Sequence, residues 1–222
     1  MTAPALLEHA REEIRGIPGR LPEGERLLWQ GAPAWWPLAL RAYRVRAAAI
    51  YFAIVTAFGF AAGLRDGLAP ADALHGLVPL VLLALTALGT LTLLAWLSAR
   101  ATVYSVTTRR VVIQGGAALP VSVNLPFAVI AAAALRAHAD GTGDIALSLA
   151  PPHRVSYLLM WPHVRPWHFS APQPSLRAIR APAEAAQILA RALAAAAGMP
   201  PPAAAEPADA RDGVRQPQPA VA

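Results

Sequence analysis

Two long stretches without a charged side chain stand out in the pattern of apolar and polar positions along the chain. They cover Ala47–Leu64 and Leu77–Ala99. At about 1.5 Å of rise per residue, helices over these stretches are about 27 Å and about 35 Å long, near the hydrocarbon thickness of a bilayer. Buried helices of soluble proteins seldom run so far without a polar face. The pattern therefore predicts a transmembrane helical hairpin over residues 47–99.

The arginines predict the orientation of this hairpin. Those beside its outer ends are Arg41, Arg44, Arg46, Arg100, Arg109 and Arg110. The connecting loop carries Arg65 together with Asp66 and Asp72. By the positive-inside rule we expect a multi-pass protein with both termini in the cytoplasm. Trp35, Trp36, Tyr43 and Trp96 fit an aromatic belt at the same interface.

After Arg100 the apolar positions alternate, which is typical of strands. Short strands are predicted at Val103–Thr107, Val111–Gln114, Val121–Leu125, Ile130–His138, Ile145–Leu149, Val155–Trp161 and Trp167–Ser170. An amphipathic helix follows, starting at Pro182 and ending before Gly198. The predicted fold is therefore membrane α+β: the two-helix transmembrane hairpin, then a pleckstrin-homology-like (PH-like) antiparallel β-barrel with one C-terminal capping helix.

This organisation divides the chain into four parts, of which the transmembrane hairpin over residues 47–99 is the second. Residues 1–46 form an N-terminal cytoplasmic segment with an amphipathic helix at Thr2–Arg15 and a strand-like piece at Glu25–Gln30. That helix either docks on a partner or on the membrane surface, or it is a frayed terminus, and the sequence favours neither interpretation. Residues 100–198 form the PH-like domain. Residues 199–222, rich in proline and alanine, are predicted to be disordered.

The amino-acid composition excludes several classes of function and favours a membrane surface as partner. All 19 basic residues are arginine, and the net charge is +6, which suits a membrane surface rich in anionic lipid. Nucleic acid is the competing partner for such a charge, but the arginines concentrate beside the predicted spans. The chain has no cysteine, so disulfides, thiol catalysis and zinc–thiolate sites are excluded. No Ser-His-Asp set, phosphate-binding loop or zincin helix is present, so we expect no enzyme.

A cluster of aromatic and basic residues near the end of the predicted sheet is the best candidate for partner binding. Its members are Trp161, His163, Arg165 and Trp167. Tryptophan and arginine dominate the energetics of protein interfaces. The structural alternative is a turn set by Pro162 and Pro166, with the tryptophans in the core.

Two further sets of residues are candidates for membrane contacts. Arg44, Arg46, Arg100, Arg109 and Arg110 are expected to contact lipid headgroups, since guanidinium groups bind phosphate. Gly59 and Gly63 form a Gly-x-x-x-Gly pair, which favours close helix packing. Packing against the second span of the same chain is favoured over packing in a dimer.

Cofactor and metal sites are not expected. Neither predicted span contains a histidine, and His75 lies outside them, so the spans offer no imidazole ligand to a cofactor in the membrane. Asp140 and Asp144 flank a Gly-Thr-Gly turn, but no third ligand is suitably spaced for a metal. A hairpin turn that uses Asp-Gly explains this pattern better.

Particular segments resemble the bacterial membrane-anchored PH-domain proteins. These segments are Leu21–Glu25 and Trp29–Gly31 before the hairpin, and Tyr104–Val111 after it. Asn124–Phe127, Gly141–Ile145 and especially Tyr157–Trp167 are similar to the photosynthetic complex assembly proteins of purple bacteria, the PuhB type. The resemblance covers roughly residues 17–197.

The resemblance implies a non-enzymatic assembly factor in the cytoplasmic or intracytoplasmic membrane. Its implied partners are subunits of the photosynthetic reaction centre and the core light-harvesting complex, and a second copy of itself in a homodimer. Anionic lipids are expected as partners from the net charge, independently of the resemblance. The alternative is a general bacterial PH-domain membrane protein that acts in envelope stress or lipid organisation.

Overall fold

The computed structural model describes Ile17 and residues 21–116 and 121–199. The helices in these ranges are α1 (Trp35–Arg41), α2 (Val45–Arg65), α3 (Pro70–Gly76), α4 (Val78–Ala101), α5 (Tyr157–Met160) and α6 (Pro182–Ala196). The strands are β1 (Leu27–Gly31), β2 (Val103–Thr107), β3 (Arg110–Gly115), β4 (Val121–Pro126), β5 (Ile130–Ala137), β6 (Thr142–Leu149) and β7 (Ser175–Arg180). The predicted helix at Thr2–Arg15 and the tail from residue 200 lie outside the described residues.

The two apolar helices form as predicted, with slightly wider bounds. Helix α2 has 21 residues and α4 has 24, and both are long and apolar enough to cross a membrane. No residue of α2 is buried inside the protein, and α4 buries only small residues. The predicted loop between them contains a further helix, α3, which begins at Pro70, where a missing N–H costs least.

Antiparallel strands follow the helices, as expected, but they do not close into a barrel. Within the described residues they form a four-stranded sheet in the order β1-β2-β3-β4 and a three-stranded sheet in the order β5-β6-β7. Strand β1 precedes the apolar helices in sequence, yet it pairs with β2, which follows them. The four-stranded sheet therefore includes a strand outside residues 100–198.

The main core lies between the two sheets and α6. Tyr104, Val111 and Leu147 are fully buried there, and they come from both sheets. Helix α6 contributes Ala185, Leu189 and Ala192 on one face, as its helical spacing predicts. Burying each large aliphatic side chain contributes about 1.5–3 kcal/mol.

A second, smaller cluster joins the sheets to the apolar helices. Leu38 and Ala39 of α1 pack with Ala95 and Ala99 of α4 and with Ala178 of β7. The small side chains allow α1 and α4 to approach closely. The Ala34 N–H also donates to the Ala178 carbonyl at 2.8 Å, which continues the edge of β7 into the start of α1. The start of α2 and the end of α4, which we call the near ends of the apolar helices, are thus fixed beside the three-stranded sheet.

Two strand predictions were wrong. The alternating residues Val155–Trp161 form a loop with the short helix α5, because Ser156 accepts a hydrogen bond from the Leu159 N–H and nucleates a helical turn. Trp167–Ser170 is also a loop, in which Trp167 has a positive φ of 66°. The last strand is β7 at Ser175–Arg180, which the sequence analysis missed.

A buried carboxylate connects the N-terminal segment to the β2–β3 turn. Glu25 accepts hydrogen bonds from the Thr107 hydroxyl at 2.7 Å and from Arg110 Nε at 2.9 Å and Nη2 at 3.1 Å. Burial raises the pKa of Glu25, but the hydrogen bonds and positive charge of Arg110 together with the Thr107 bond outweigh it, so the net pKa is lowered. This contact holds β1 in register beside β2.

Replacing the carboxylate tests this contact. We expect Glu25→Gln to lower the free energy of unfolding by about 1–3 kcal/mol, because Arg110 keeps its charge but loses its bidentate acceptor. Denaturation of the detergent-solubilised full chain, followed by circular dichroism, measures the change. Glu23→Gln, an exposed substitution two residues away, is the matched control. Equal stability of the two variants would contradict the role of Glu25.

Candidate functional site

The strongest candidate site is an exposed apolar surface formed by α5 and the loop that follows it. Of the four residues predicted here, Trp161 and Trp167 are 46% and 74% exposed, and Arg165 is exposed as well. The tryptophans are therefore not core residues of a turn, which was the alternative interpretation. We call the surface formed by Leu158, Leu159, Trp161, Arg165, Trp167 and Phe169 the aromatic surface.

Three members of the aromatic surface were missed by the sequence analysis. Leu158 is 85% exposed, Phe169 is 62% exposed, and Leu159 is also exposed. The ring of Phe169 packs against Tyr157 with centroids 4.7 Å apart and against Trp167 at 6.2 Å. The sequence did contain a signal for an exposed leucine. Leu158 and Leu159 are neighbours in the predicted strand, and successive residues of a strand point to opposite faces.

His163 does not belong to the aromatic surface, because it lies inside the protein with 5% exposure. Its Nδ1 is 2.7 Å from the Tyr104 hydroxyl, and its Nε2 is 2.9 Å from Thr102 Oγ1. The expectation that His163 contacts a partner directly does not fit this position. The residue instead connects the loop of the aromatic surface to the junction between α4 and β2.

One arrangement of hydrogens satisfies every group in this buried chain of contacts. The Thr102 hydroxyl donates to the Ser98 carbonyl at 2.7 Å, so it accepts from His163 Nε2–H. Nδ1 then accepts from the Tyr104 hydroxyl, which in turn accepts from the Arg177 N–H at 3.1 Å. The imidazole is therefore neutral. Burial, aided by the charge of Arg177, lowers the pKa of His163 to about 3.

The loop that carries the aromatic surface is also hydrogen-bonded to β7 and to the residues just before it. The Arg177 guanidinium donates to the Pro162 carbonyl at 3.2 Å, and Arg165 donates to the Gln173 side chain at 3.0 Å. The backbone N–H of Ser175 donates to the His163 carbonyl at 2.9 Å. These bonds fix the backbone beneath the aromatic surface, whereas the side chains of Leu158, Trp167 and Phe169 stay exposed.

The aromatic surface begins at the near ends of both apolar helices. The Trp161 ring packs edge-on against Tyr43, which precedes α2, with centroids 4.9 Å apart. The Tyr43 hydroxyl is 2.5 Å from Ser98 Oγ in the last turns of α4. A cleft of about 130 Å³ lies between these residues and Leu159. Any molecule that touches this end of the aromatic surface is therefore beside the helices.

A comparison with known families now identifies the fold. The family model described as a bacterial PH domain matches residues 38–195, which is more than half of the chain. The chain belongs to the bacterial PH-domain family. The matched residues include both apolar helices, whereas strand β1, which pairs with β2, precedes them.

One curated relative aligns with this PH-domain protein over nearly the whole length of both chains. It is a protein of Rhodobacter capsulatus named as an uncharacterized 23.7 kDa protein in the puhA 5′ region. The two sequences are 39% identical over 196 residues, which are 88% of this chain and 92% of the relative. No solved structure matches the chain.

The five arginines predicted to contact lipid separate into two groups. Arg44, Arg46 and Arg100 are exposed at the near ends of α2 and α4. Arg109 lies in the β2–β3 turn and Arg110 begins β3, one strand length or about 17 Å beyond the end of α4. Arg110 is further engaged by Glu25. The geometry supports a lipid contact for the first group and gives Arg110 a structural role.

The glycine pair packs inside the chain: Gly59 lies against Leu77, the first residue of the predicted second span, and Gly63 lies against α3. A Cβ at Gly59 would lie 3.0 Å from Leu77 Cδ2, and one at Gly63 would lie 3.1 Å from Ala73 Cβ. Ala73 belongs to α3, and Leu77 directly precedes α4. The missing side chains therefore allow the connector to pack closely on α2.

Asp140 of the β5–β6 turn and Asp144 of β6 make contacts within the matched domain. Asp140 pairs with Arg41 of α1 and accepts from the Thr142 hydroxyl, and these bonds hold the pKa of Asp140 well below its usual range. Asp144 accepts from the Ala178 N–H at 2.7 Å and lies 3.2 Å from His138 Nε2. Within the described ranges no three potential ligands are grouped for a metal ion.

The neutral state of His163 gives a pH dependence that can be measured. Its folded pKa of about 3 lies below the ordinary 6.5, so the unfolded chain takes up the proton first. The stability from this residue is complete above about pH 6.5 and falls as the pH drops, by about 2 kcal/mol at pH 5. Denaturation of the solubilised full chain at pH 5 and at a pH above 6.5 measures this loss of stability.

Two variants separate His163 from the other titrating groups. His163→Gln should lose this part of the pH dependence, although it is less stable at neutral pH. His153→Gln removes an exposed histidine and should keep the wild-type dependence. A wild-type pH slope in His163→Gln would show that the buried imidazole is not the group responsible.

Proposed function

We propose that this protein is a non-enzymatic, membrane-embedded assembly factor of the PuhB type for the photosynthetic reaction centre and core light-harvesting complex. The observation that carries this proposal is the relative encoded 5′ of puhA, in a photosynthesis gene region of a purple bacterium, which aligns with 88% of the chain. A relative of this identity and coverage supports a shared role for the two proteins.

The apolar helices support the membrane part of the proposal. Helices α2 and α4 have the length and composition of spans, and they expose their side chains along most of their length. Arg44, Arg46 and Arg100 stand at the ends that adjoin the PH domain. By the positive-inside rule the PH domain and both termini then face the cytoplasm of a bacterial inner membrane.

The aromatic surface supports the partner-binding part of the proposal. Exposed tryptophan, phenylalanine and arginine side chains on a fixed base are typical of interface hot spots. We propose that Trp167, Phe169 and Arg165 contact newly inserted subunits of the complex. Because the spans confine both partners to one membrane, their effective concentration is high, so weak and transient contacts suffice.

The polar interior supports a role without catalysis. The buried residues His163, Tyr104 and Thr102 satisfy one another by hydrogen bonds and the imidazole stays neutral. A general base needs access to a substrate proton and a pKa near the working pH, and His163 has neither.

The membrane topology can be tested directly. We expect the intact polypeptide to remain in the membrane fraction after carbonate washing, because two apolar helices hold it in lipid. Reporters fused at either terminus should be active only in the cytoplasm. Release of the polypeptide by carbonate, or a periplasmic reporter at either end, would contradict the topology.

The assembly role is tested by gene deletion in a phototrophic host. Deletion should lower the amount of reaction-centre core complex, measured by absorbance of isolated membranes, and leave respiratory growth unchanged. Trp167→Ala with Phe169→Ala should fail to restore the complex, because loss of a hot-spot pair weakens binding by about tenfold or more. Leu135→Ala, an exposed substitution on β5, should restore it.

Two outcomes would overturn the assembly role. Equal loss of phototrophic and respiratory growth would favour a general envelope function. Full restoration by the aromatic double variant, at normal protein levels, would show that the aromatic surface is not the contact site. Photo-crosslinking from position 167 to a reaction-centre or antenna polypeptide supplies the direct evidence.

A further inference from the structure

A wide apolar groove lies between α6 and the start of β5. Its volume is about 1040 Å³, and its lining extends from the β2–β3 turn to Met199, just after α6. Ala131 and Ala133 of β5 line it together with alanines of α6. Among the described residues that form its walls, only Thr108 and Arg109 are polar. The small side chains of the walls leave room for larger ones from another segment.

Apolar residues of the groove remain exposed in the described part of the chain. Met199 is 60% exposed, and Ala131, Ala133 and Ala196 are exposed as well. A contiguous apolar surface of this kind marks a place where another segment or molecule packs. The groove is therefore a docking surface that the described elements leave uncovered.

The N-terminal part of the chain reaches the protein beside this groove. A Cβ at Gly24 would lie 3.6 Å from Arg109 Nη2, at the rim of the groove. Further towards the N-terminus, Ile17 is only 5% exposed, so the chain still packs on the protein there. The segment Thr2–Arg15, outside the described residues, precedes Leu21 by six residue steps, which span at most about 20 Å. The groove is thus within reach of that segment.

This N-terminal segment also matches the groove in polarity and charge. Its sequence predicts an amphipathic helix whose apolar stripe consists of Leu6, Leu7, Ala10 and Ile14. Large aliphatic side chains are what walls of alanine can accommodate. Glu13 lies three positions after Ala10 and therefore borders the stripe. A carboxylate at this position is opposite in charge to Arg109 at the rim.

Two other occupants fit the groove less well. The tail from residue 200 begins beside Met199, but it contains no leucine, isoleucine or aromatic residue to fill the space. The rim at Arg109 is one strand length, or about 17 Å, beyond the end of α4. With α4 in the membrane, lipid does not reach this side of the sheet.

We propose that residues Thr2–Arg15 form an amphipathic helix that docks in this groove of its own chain. Leu6, Leu7 and Ile14 pack between α6 and β5, and Glu13 pairs with Arg109. The docked helix covers the apolar walls and joins the N-terminal segment to α6. This inference goes beyond the assembly role and uses the proposed membrane topology only to exclude lipid from the groove.

Cysteine cross-linking of the full chain in lipid nanodiscs tests the docking, without detergent that could fill the groove. The chain has no cysteine of its own, so a short bismaleimide reacts only with introduced pairs. We expect Ala10→Cys with Ala133→Cys to give a cross-link within one chain, because the apolar stripe then faces the groove. Mass spectrometry of the intact chain identifies the product, and circular dichroism confirms the fold.

Two control pairs differ from this pair only in the face that carries one cysteine. Glu8→Cys with Ala133→Cys uses the opposite face of the predicted helix. Ala10→Cys with Ala134→Cys uses the other face of β5, at an exposed residue. We expect both controls to react at least about fivefold more slowly, since their cysteines point away from each other.

Variants of the helix separate its apolar contact from its ion pair. In the Ala10–Ala133 cysteine pair, Leu7→Ser should slow cross-linking about tenfold, because it removes a buried aliphatic side chain. Glu13→Arg should slow it about threefold, and the combination of Glu13→Arg with Arg109→Glu should restore the rate. Glu12→Arg changes the same charge outside the stripe and should keep the original rate.

Several results would overturn the proposal. Equal cross-linking of the control pairs, or an unchanged rate in Leu7→Ser, would show that the segment has no fixed position in the groove. Products of twice the mass would show that the groove takes the helix of a second copy. Failure of the folded Ala10–Ala133 pair to react would place the helix elsewhere. A defect in complex assembly has no influence on any of these readouts.

Discussion

The structure depends on one constraint of chain connectivity: two neighbouring strands of a sheet are separated in sequence by a complete helical hairpin. Gln30 of β1 and Ser105 of β2 are 75 positions apart, and their side chains are hydrogen-bonded at 3.0 Å. The helices must therefore leave the sheet and return to it at nearly the same place. Closing so long a loop costs conformational entropy, which contacts at the near ends of the helices have to offset. Three sets of contacts do so: the α1–α4 cluster, the Tyr43–Ser98 bond, and the chain from Thr102 through His163 to Tyr104.

These contacts also decide where the exposed side chains lie. The bonds of His163 join the end of α4 to the loop of the aromatic surface, while the bridge between Pro33 and Ile179 brings the start of α1 beside β7. The aromatic surface consequently lies beside the last turns of α4, because Trp161 packs on Tyr43 and the Tyr43 hydroxyl is bonded to Ser98.

Much of the fold follows from local patterns, and the failures have physical causes. The apolar helices, most strands and α6 were predicted because each has a long run with one clear period. The segment Val155–Trp161 has the period of a strand, but Ser156 and the nearby prolines favour a helical turn over ladder pairing. Of the candidate site, Trp161 and Trp167 were recognised from residue type alone. Leu158 and Phe169 were missed because exposure of an apolar residue depends on which elements fail to cover it.

The sequence by itself determined the two apolar helices, the change to short antiparallel strands and the family, since these depend on local periodicity and on motifs within short segments. Only the tertiary structure decided the roles of individual side chains. Glu25 and Arg110 are distant in sequence. Arg110 was predicted to contact lipid, but its pairing with Glu25 gives it a structural role. His163 stands among exposed aromatics in the sequence, yet packing against Thr102 and Tyr104 places it inside. Burial and pairing are properties of the assembled chain, because they depend on residues that meet only after folding.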